Sequence, residues 1–96
     1  MIGKKKAIEI AEQYVKNESK SHNLVILHEH TMEFELGWVF FYQTKEYVET
    51  RDILQMINDN APLIINKKDG TIHITGTAYP IEKYIRDYIK AKSGSV

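Results

Sequence analysis

Apolar residues recur along the chain with two different spacings, and the switches between them divide it into elements. Ala7, Ile8, Ala11, Tyr14 and Val15 fall on one helical stripe, while Lys4, Lys5, Glu9, Glu12, Gln13 and Lys16 fill the opposite side. This predicts an amphipathic first helix that ends in the polar cluster from Asn17 to Asn23. Leu24-Val25-Ile26-Leu27 is apolar on both parities and predicts a strand running to about Thr31. Glu33 to Gly37 reads as the reversal, with Gly37 free to take a positive φ or a bulge.

The run Gly37-Trp38-Val39-Phe40-Phe41-Tyr42 follows and holds the single tryptophan. In extended backbone Trp38, Phe40 and Tyr42 share one side and Val39 and Phe41 the other, so both faces need covering and the strand belongs in mid-sheet. From Thr44 to Asn60, Ile53, Leu54 and Ile57 keep helical spacing for only about two turns, which predicts a loop carrying a short helix. Pro62 suits the start of a strand through Leu63-Ile64-Ile65, and Lys68-Asp69-Gly70-Thr71 is a hairpin turn. Ile72 and Ile74 oppose His73 and Thr75 in parity, so the last strand should be covered on one face only. Pro80 fits the first turn of a helix whose stripe is Ile81, Tyr84, Ile85, Tyr88 and Ile89, and residues 93–96 should fray as a tail.

The predicted fold is α+β, in the order helix, hairpin, short helix or loop, hairpin, helix. It has a four-stranded antiparallel sheet and both terminal helices on one face, as a single domain over residues 1–92.

Composition narrows the function by elimination. Thirteen basic side chains balance thirteen acidic ones, so no positive field exists to hold nucleic acid or an anionic membrane, and Lys4-Lys5-Lys6 reads as a solvated helix face. Cysteine is absent, which removes disulfides, thiolate catalysis and cysteine-based metal sites. No apolar stretch approaches the roughly 20 residues needed to cross a bilayer, and the expected location is cytoplasmic.

His28-Glu29-His30 has metal-ligand character if it is a strand, since both imidazoles would then face one way. A third ligand such as Glu33 or Glu35 would be needed, and the plainer reading leaves both histidines in solvent. Ser19, Ser21, Thr44, Thr50 and Thr75 lie in no nucleophile frame, and the pairs Glu33 with Glu35 and Asp52 with Asp59 read as solvated carboxylates. The glycines at positions 3, 37, 70, 76 and 94 form no phosphate cradle. No enzyme, cofactor or metal is therefore expected.

What remains is surface recognition. Tyr42, Tyr47, Val48, Ile53, Leu54, Met56 and Ile57 put more apolar area in the connector than a plain loop needs. In the commoner outcome the connector folds over the sheet and completes the core. In the other it forms an apolar patch ringed by Lys45, Glu46, Glu49, Arg51 and Asp52. The candidate partner-binding residues are Tyr47, Arg51, Leu54, Met56 and Ile57.

The strand Gly37-Trp38-Val39-Phe40-Phe41-Tyr42, the turn segment from Asn60 to Gly70 and the helix start Gly76-Thr77-Ala78-Tyr79-Pro80-Ile81 form an ordered set. As such a set they resemble the immunity protein 35 family, which includes the YrhB-like small proteins, from about Ala7 to Tyr88. The resemblance implies a bacterial, non-enzymatic antitoxin that binds and blocks a cognate toxin domain. Its alternative, from the YrhB-like members, is a small heat-stress chaperone holding partly unfolded clients. Either a monomer or a homodimer fits both. The connector Arg51 to Asn60 is richer in apolar residues than the Gly-containing connector expected in that family.

Overall fold

The computed structural model describes residues 1–18, 23–58 and 60–93. Two strands that are apolar on both parities, β3 (Gly37–Phe40) and β5 (Leu63–Asn66), pair antiparallel with Trp38 opposite Ile65 and Val39 opposite Ile64. Every residue of both strands is buried. They form the middle of a four-stranded sheet in the order β2-β3-β5-β6, with β2 (Met32–Phe34) and β6 (Ile72–Ile74) at the edges.

Helix α1 (Lys4–Glu18) lies on one face. Its small buried residues Ala7, Ala11 and Val15 allow a close approach to Trp38, Phe40, Leu63 and Ile65. Helix α3 (Ile81–Lys92) takes the other face, where Tyr88 is buried and Ile81 and Ile85 pack on Val39 and Ile64. The apolar pattern predicts both helices on one face, and the structure divides them between the two. A central strand pair apolar on both parities would otherwise leave Val39 and Ile64 in water, and fully burying a side chain of that kind is worth roughly 1.5–3 kcal/mol.

The first hairpin is broken where one continuous strand to Thr31 is expected. Strand β1 (Leu24–Ile26) pairs with β4 (Tyr42–Thr44) as a separate two-stranded ladder. A 3-10 turn over His28–His30 then precedes β2, which pairs with β3. Since Ile26 stands opposite Tyr42 and Met32 opposite Val39, residues 27–31 face only Phe40 and Phe41. The surplus chain is taken up by the turn, with Leu27 donating to the Phe41 carbonyl (2.7 Å) and accepting from His30 N–H (3.0 Å). A bulge of this size bends the hairpin and carries β4 out of the main sheet.

Gly37 has no positive φ, contrary to one expectation. Glycine is needed there because a Cβ would run into the Ile65 carbonyl. Gly70 does take the left-handed conformation (φ 74°) and closes the β5–β6 turn by donating to the Asn66 carbonyl at 2.8 Å. Asp69 supports that turn by accepting from the Thr71 N–H (3.0 Å) and hydroxyl (2.8 Å). Asn66 ties the turn to α3, its buried Nδ2 donating to the Tyr88 hydroxyl at 2.8 Å. Pro80 stands one position before the first turn of α3, in extended conformation. The Ile72/Ile74 face of β6, expected to be covered, is open, with those residues 37% and 50% exposed, because α1 does not extend over the edge. Of the expected tail, residues 94–96 lie outside the described residues. Among the described residues no helix is long and apolar enough to cross a membrane.

Candidate functional site

The connector between β4 and β5 is held by polar side chains while Ile53, Leu54 and Met56 are left exposed. Thr44, buried at the end of β4, caps α2 (Lys45–Thr50): its hydroxyl accepts from the Tyr47 N–H (3.1 Å) and donates to the Gln55 carbonyl (2.6 Å). Gln43, also buried, imitates a strand partner. Its Oε1 accepts from the Ile57 N–H (2.9 Å), and its Nε2 donates to the Ile57 carbonyl (3.2 Å). Asn60 Nδ2 donates to the Tyr42 carbonyl (2.7 Å).

Between these ties the chain is closely capped. The Thr50 hydroxyl donates to the Glu46 carbonyl (2.7 Å), and Arg51 ends α2 in the left-handed conformation (φ 60°, ψ 21°), donating its N–H to the Tyr47 carbonyl at 2.7 Å. The Arg51 guanidinium lies 5.7 Å from the centre of the Tyr47 ring, within cation–π range. Asp52 caps a 3-10 turn over Ile53–Gln55 by accepting from the Leu54 N–H (3.0 Å). Ile53 is 75% and Leu54 89% exposed, and Met56 is exposed as well. The commoner outcome for such a connector, completion of the core, is not what these three residues do.

Of the candidate residues, Tyr47, Arg51 and Met56 come together on a cleft of about 300 Å³ that also uses Phe41, Tyr42 and His30. Leu54 stands on the 3-10 turn outside that cleft, and Ile57 is half-buried against Gln43. Gln43, Thr44 and Asn60, which set the shape of the surface, were not among the predicted residues. The signal available for them was weak: polar residues just before and just after a segment whose apolar spacing is too short for a stable helix.

The histidine pair loses its premise. His28 and His30 lie on a 3-10 turn instead of a strand, and they open onto different cavities. His28 Nε2 is 3.3 Å from Glu12 Oε2 on α1. Among the described residues no group of three or more His, Cys, Asp or Glu could hold a metal ion. Asp59, Ser19 and Ser21 lie outside the described residues.

Elsewhere Glu33 and Lys67 form an ion pair at 2.8 Å, with the Lys67 ammonium 5.3 Å from the Trp38 ring centre. The Glu33 carboxyl is held below the usual carboxylate range, first by the Lys67 hydrogen bond, then by the Lys67 charge. The Trp38 indole N–H adds weakly to this, being buried without a hydrogen bond of ordinary geometry. With the Glu33 carboxylate open to solvent, screening leaves this pair little weight in stability.

The chain is an α+β scaffold whose connector is tied to β4 by side-chain hydrogen bonds. The family model described as Immunity protein 35 matches residues 5–87, and the chain belongs to that family. It is also similar to the uncharacterized protein YrhB of Escherichia coli (strain K12), 46% identical over 55 residues. That alignment takes in 57% of this chain and 58% of YrhB, so the chain spans little more than half the length of this relative. No solved structure matches the chain.

Proposed function

We propose that this protein acts by binding and not by catalysis, as a bacterial antitoxin that occupies a cognate toxin domain through the connector surface. Membership of the Immunity protein 35 family supports the role. The observation that carries the choice of surface is the outward display of Ile53 and Leu54 on a segment fixed from beneath by Gln43 and Thr44. A segment already ordered loses less entropy on binding. Tyr47 and Arg51, stacked at the edge of the cleft, are residue types that anchor interfaces. Lys45 and Glu49, 3.9 Å apart, supply a charged rim.

Co-expression with candidate toxin domains drawn from the reading frames beside this gene tests this. Wild type should restore growth, and I53D/L54D should fail to protect while keeping its thermal midpoint. Undiminished protection by that variant, or none by wild type, would reject the reading.

A second reading, a heat-stress chaperone, is favoured by one observation: apolar side chains are exposed on two separate surfaces, the connector and β6. Suppression of aggregation of unrelated denatured proteins would support it. Indifference to them, together with tight binding of one toxin domain, supports the antitoxin.

A further inference from the structure

Of the two edges of the four-stranded sheet, β2 is guarded and β6 is not. Strand β2 carries Glu33, paired with Lys67, and is closed at its start by the His28–His30 turn. Strand β6 reads Ile-His-Ile, with no lysine, proline or bulge of the kind that blunts an edge. Asn66 donates to the Thr71 carbonyl and Thr75 to the Pro62 carbonyl, both at 3.0 Å, and His73 stands opposite Ile64. Antiparallel alternation therefore turns the backbone N–H and C=O of Ile72 and Ile74 outward, away from β5. Among the described residues none of these outward groups is paired. The side chains of the same two residues are 37% and 50% exposed, and Ile72 borders a groove of about 470 Å³ with Ile10 and Tyr14 of α1.

We infer that β6 is an interface between two copies of this chain, joined as antiparallel strands about a two-fold axis at His73. The register that uses the outward groups of both residues is the one in which Ile72 of each copy exchanges backbone hydrogen bonds with Ile74 of the other, and His73 faces His73 across the axis. The sequence is self-complementary in this arrangement, because the apolar residues that one edge leaves uncovered are those the second edge brings. A formal net charge of zero sets up no repulsion between approaching copies. An extended segment of another protein would have to bring apolar side chains at the same alternate positions, which a second copy already carries.

The test uses the full chain in sedimentation equilibrium over a concentration series. Wild type should form a dimer in which the Ile72 and Ile74 amides exchange slowly. H73D and H73K each place like charges across the axis and should weaken the dimer by roughly tenfold. An equal mixture of the two should recover a heterodimer, which general structural damage would not allow. His73 is exposed, its ring 5.2 Å from that of Tyr88, so both variants should lose that contact and still fold. If they unfold, I74K takes their place and should be monomeric. A wild type that stays monomeric, single variants that dimerise as tightly as wild type, a mixture that fails to pair, or a dimeric I74K would each overturn the inference.

Discussion

Replacing Gln43 by leucine keeps the side chain's volume and removes the clamp under the connector. Gln43 Oε1 accepts from the N–H groups of Ile57 and Thr44, both at 2.9 Å, and Nε2 donates to the Ile57 carbonyl at 3.2 Å. Each bond is worth about 1 kcal/mol net, and a buried donor left unpaired costs about 1–3 kcal/mol. Thr44 is 1% exposed, so its N–H bears the full penalty, whereas Ile57 is half-buried and water can replace part of what it loses. The expected destabilisation is about 2–4 kcal/mol. Part of this should appear as local opening around Ile57, which Gln43 ties to β4, while Thr44 and Asn60 go on holding the chain on either side of it. Urea unfolding reads the total, and hydrogen exchange at the Ile57 amide reads the local share. A change under about 0.5 kcal/mol, with Ile57 protection unaltered, would refute the clamp.

Three other perturbations have defined outcomes. G37A pushes a methyl group into the Ile65 carbonyl between two buried central strands and should cost roughly 3 kcal/mol or more in chemical unfolding. Y88F removes the acceptor for Asn66 Nδ2 at a buried site and should cost about 1–2 kcal/mol, read the same way. Acid should destabilise the fold through Glu33, Asp69 and Asp87, whose carboxyls are lowered respectively by the Lys67 hydrogen bond, the Thr71 backbone N–H and the Lys83 hydrogen bond. A lowered folded pKa gives stability that is present above the unfolded value, near 4, and lost as pH falls through the folded one. The thermal midpoint should therefore hold down to about pH 4.5 and decline below about pH 4. A midpoint that rises on acidification would contradict this.

The helices, the aromatic strand and the Gly70 turn were legible because each depends on local periodicity or local backbone need. Trp38, Phe40 and Val39 declare a two-sided strand by parity alone, and Tyr84 to Ile89 declare a helix by spacing. Parity does not say which helix covers which face, so the placement of α1 and α3 on opposite faces was lost. The break at His28–His30 was hidden because Leu24 to Leu27 is apolar without interruption up to the bulge. The excess of residues over the partner strand shows only once Ile26 is matched to Tyr42 and Met32 to Val39. The connector was legible as unusual but not in its direction. What turns Ile53 and Leu54 outward is the side-chain bonding of Gln43 and Thr44 to backbone more than ten residues away, and polar residues at a strand end carry no mark of that role.

The central proposal is that the outward face of the connector is what a toxin domain contacts, and calorimetric titration of the toxin domain that wild type neutralises on co-expression into wild type and L54D compares the two directly. Leu54 is 89% exposed, so L54D should keep wild-type stability to within about 0.5 kcal/mol. Its affinity should nonetheless fall by about 30-fold or more, the loss expected of an interface anchor worth about 2 kcal/mol. Equal affinity of the two proteins for the toxin domain would contradict the account.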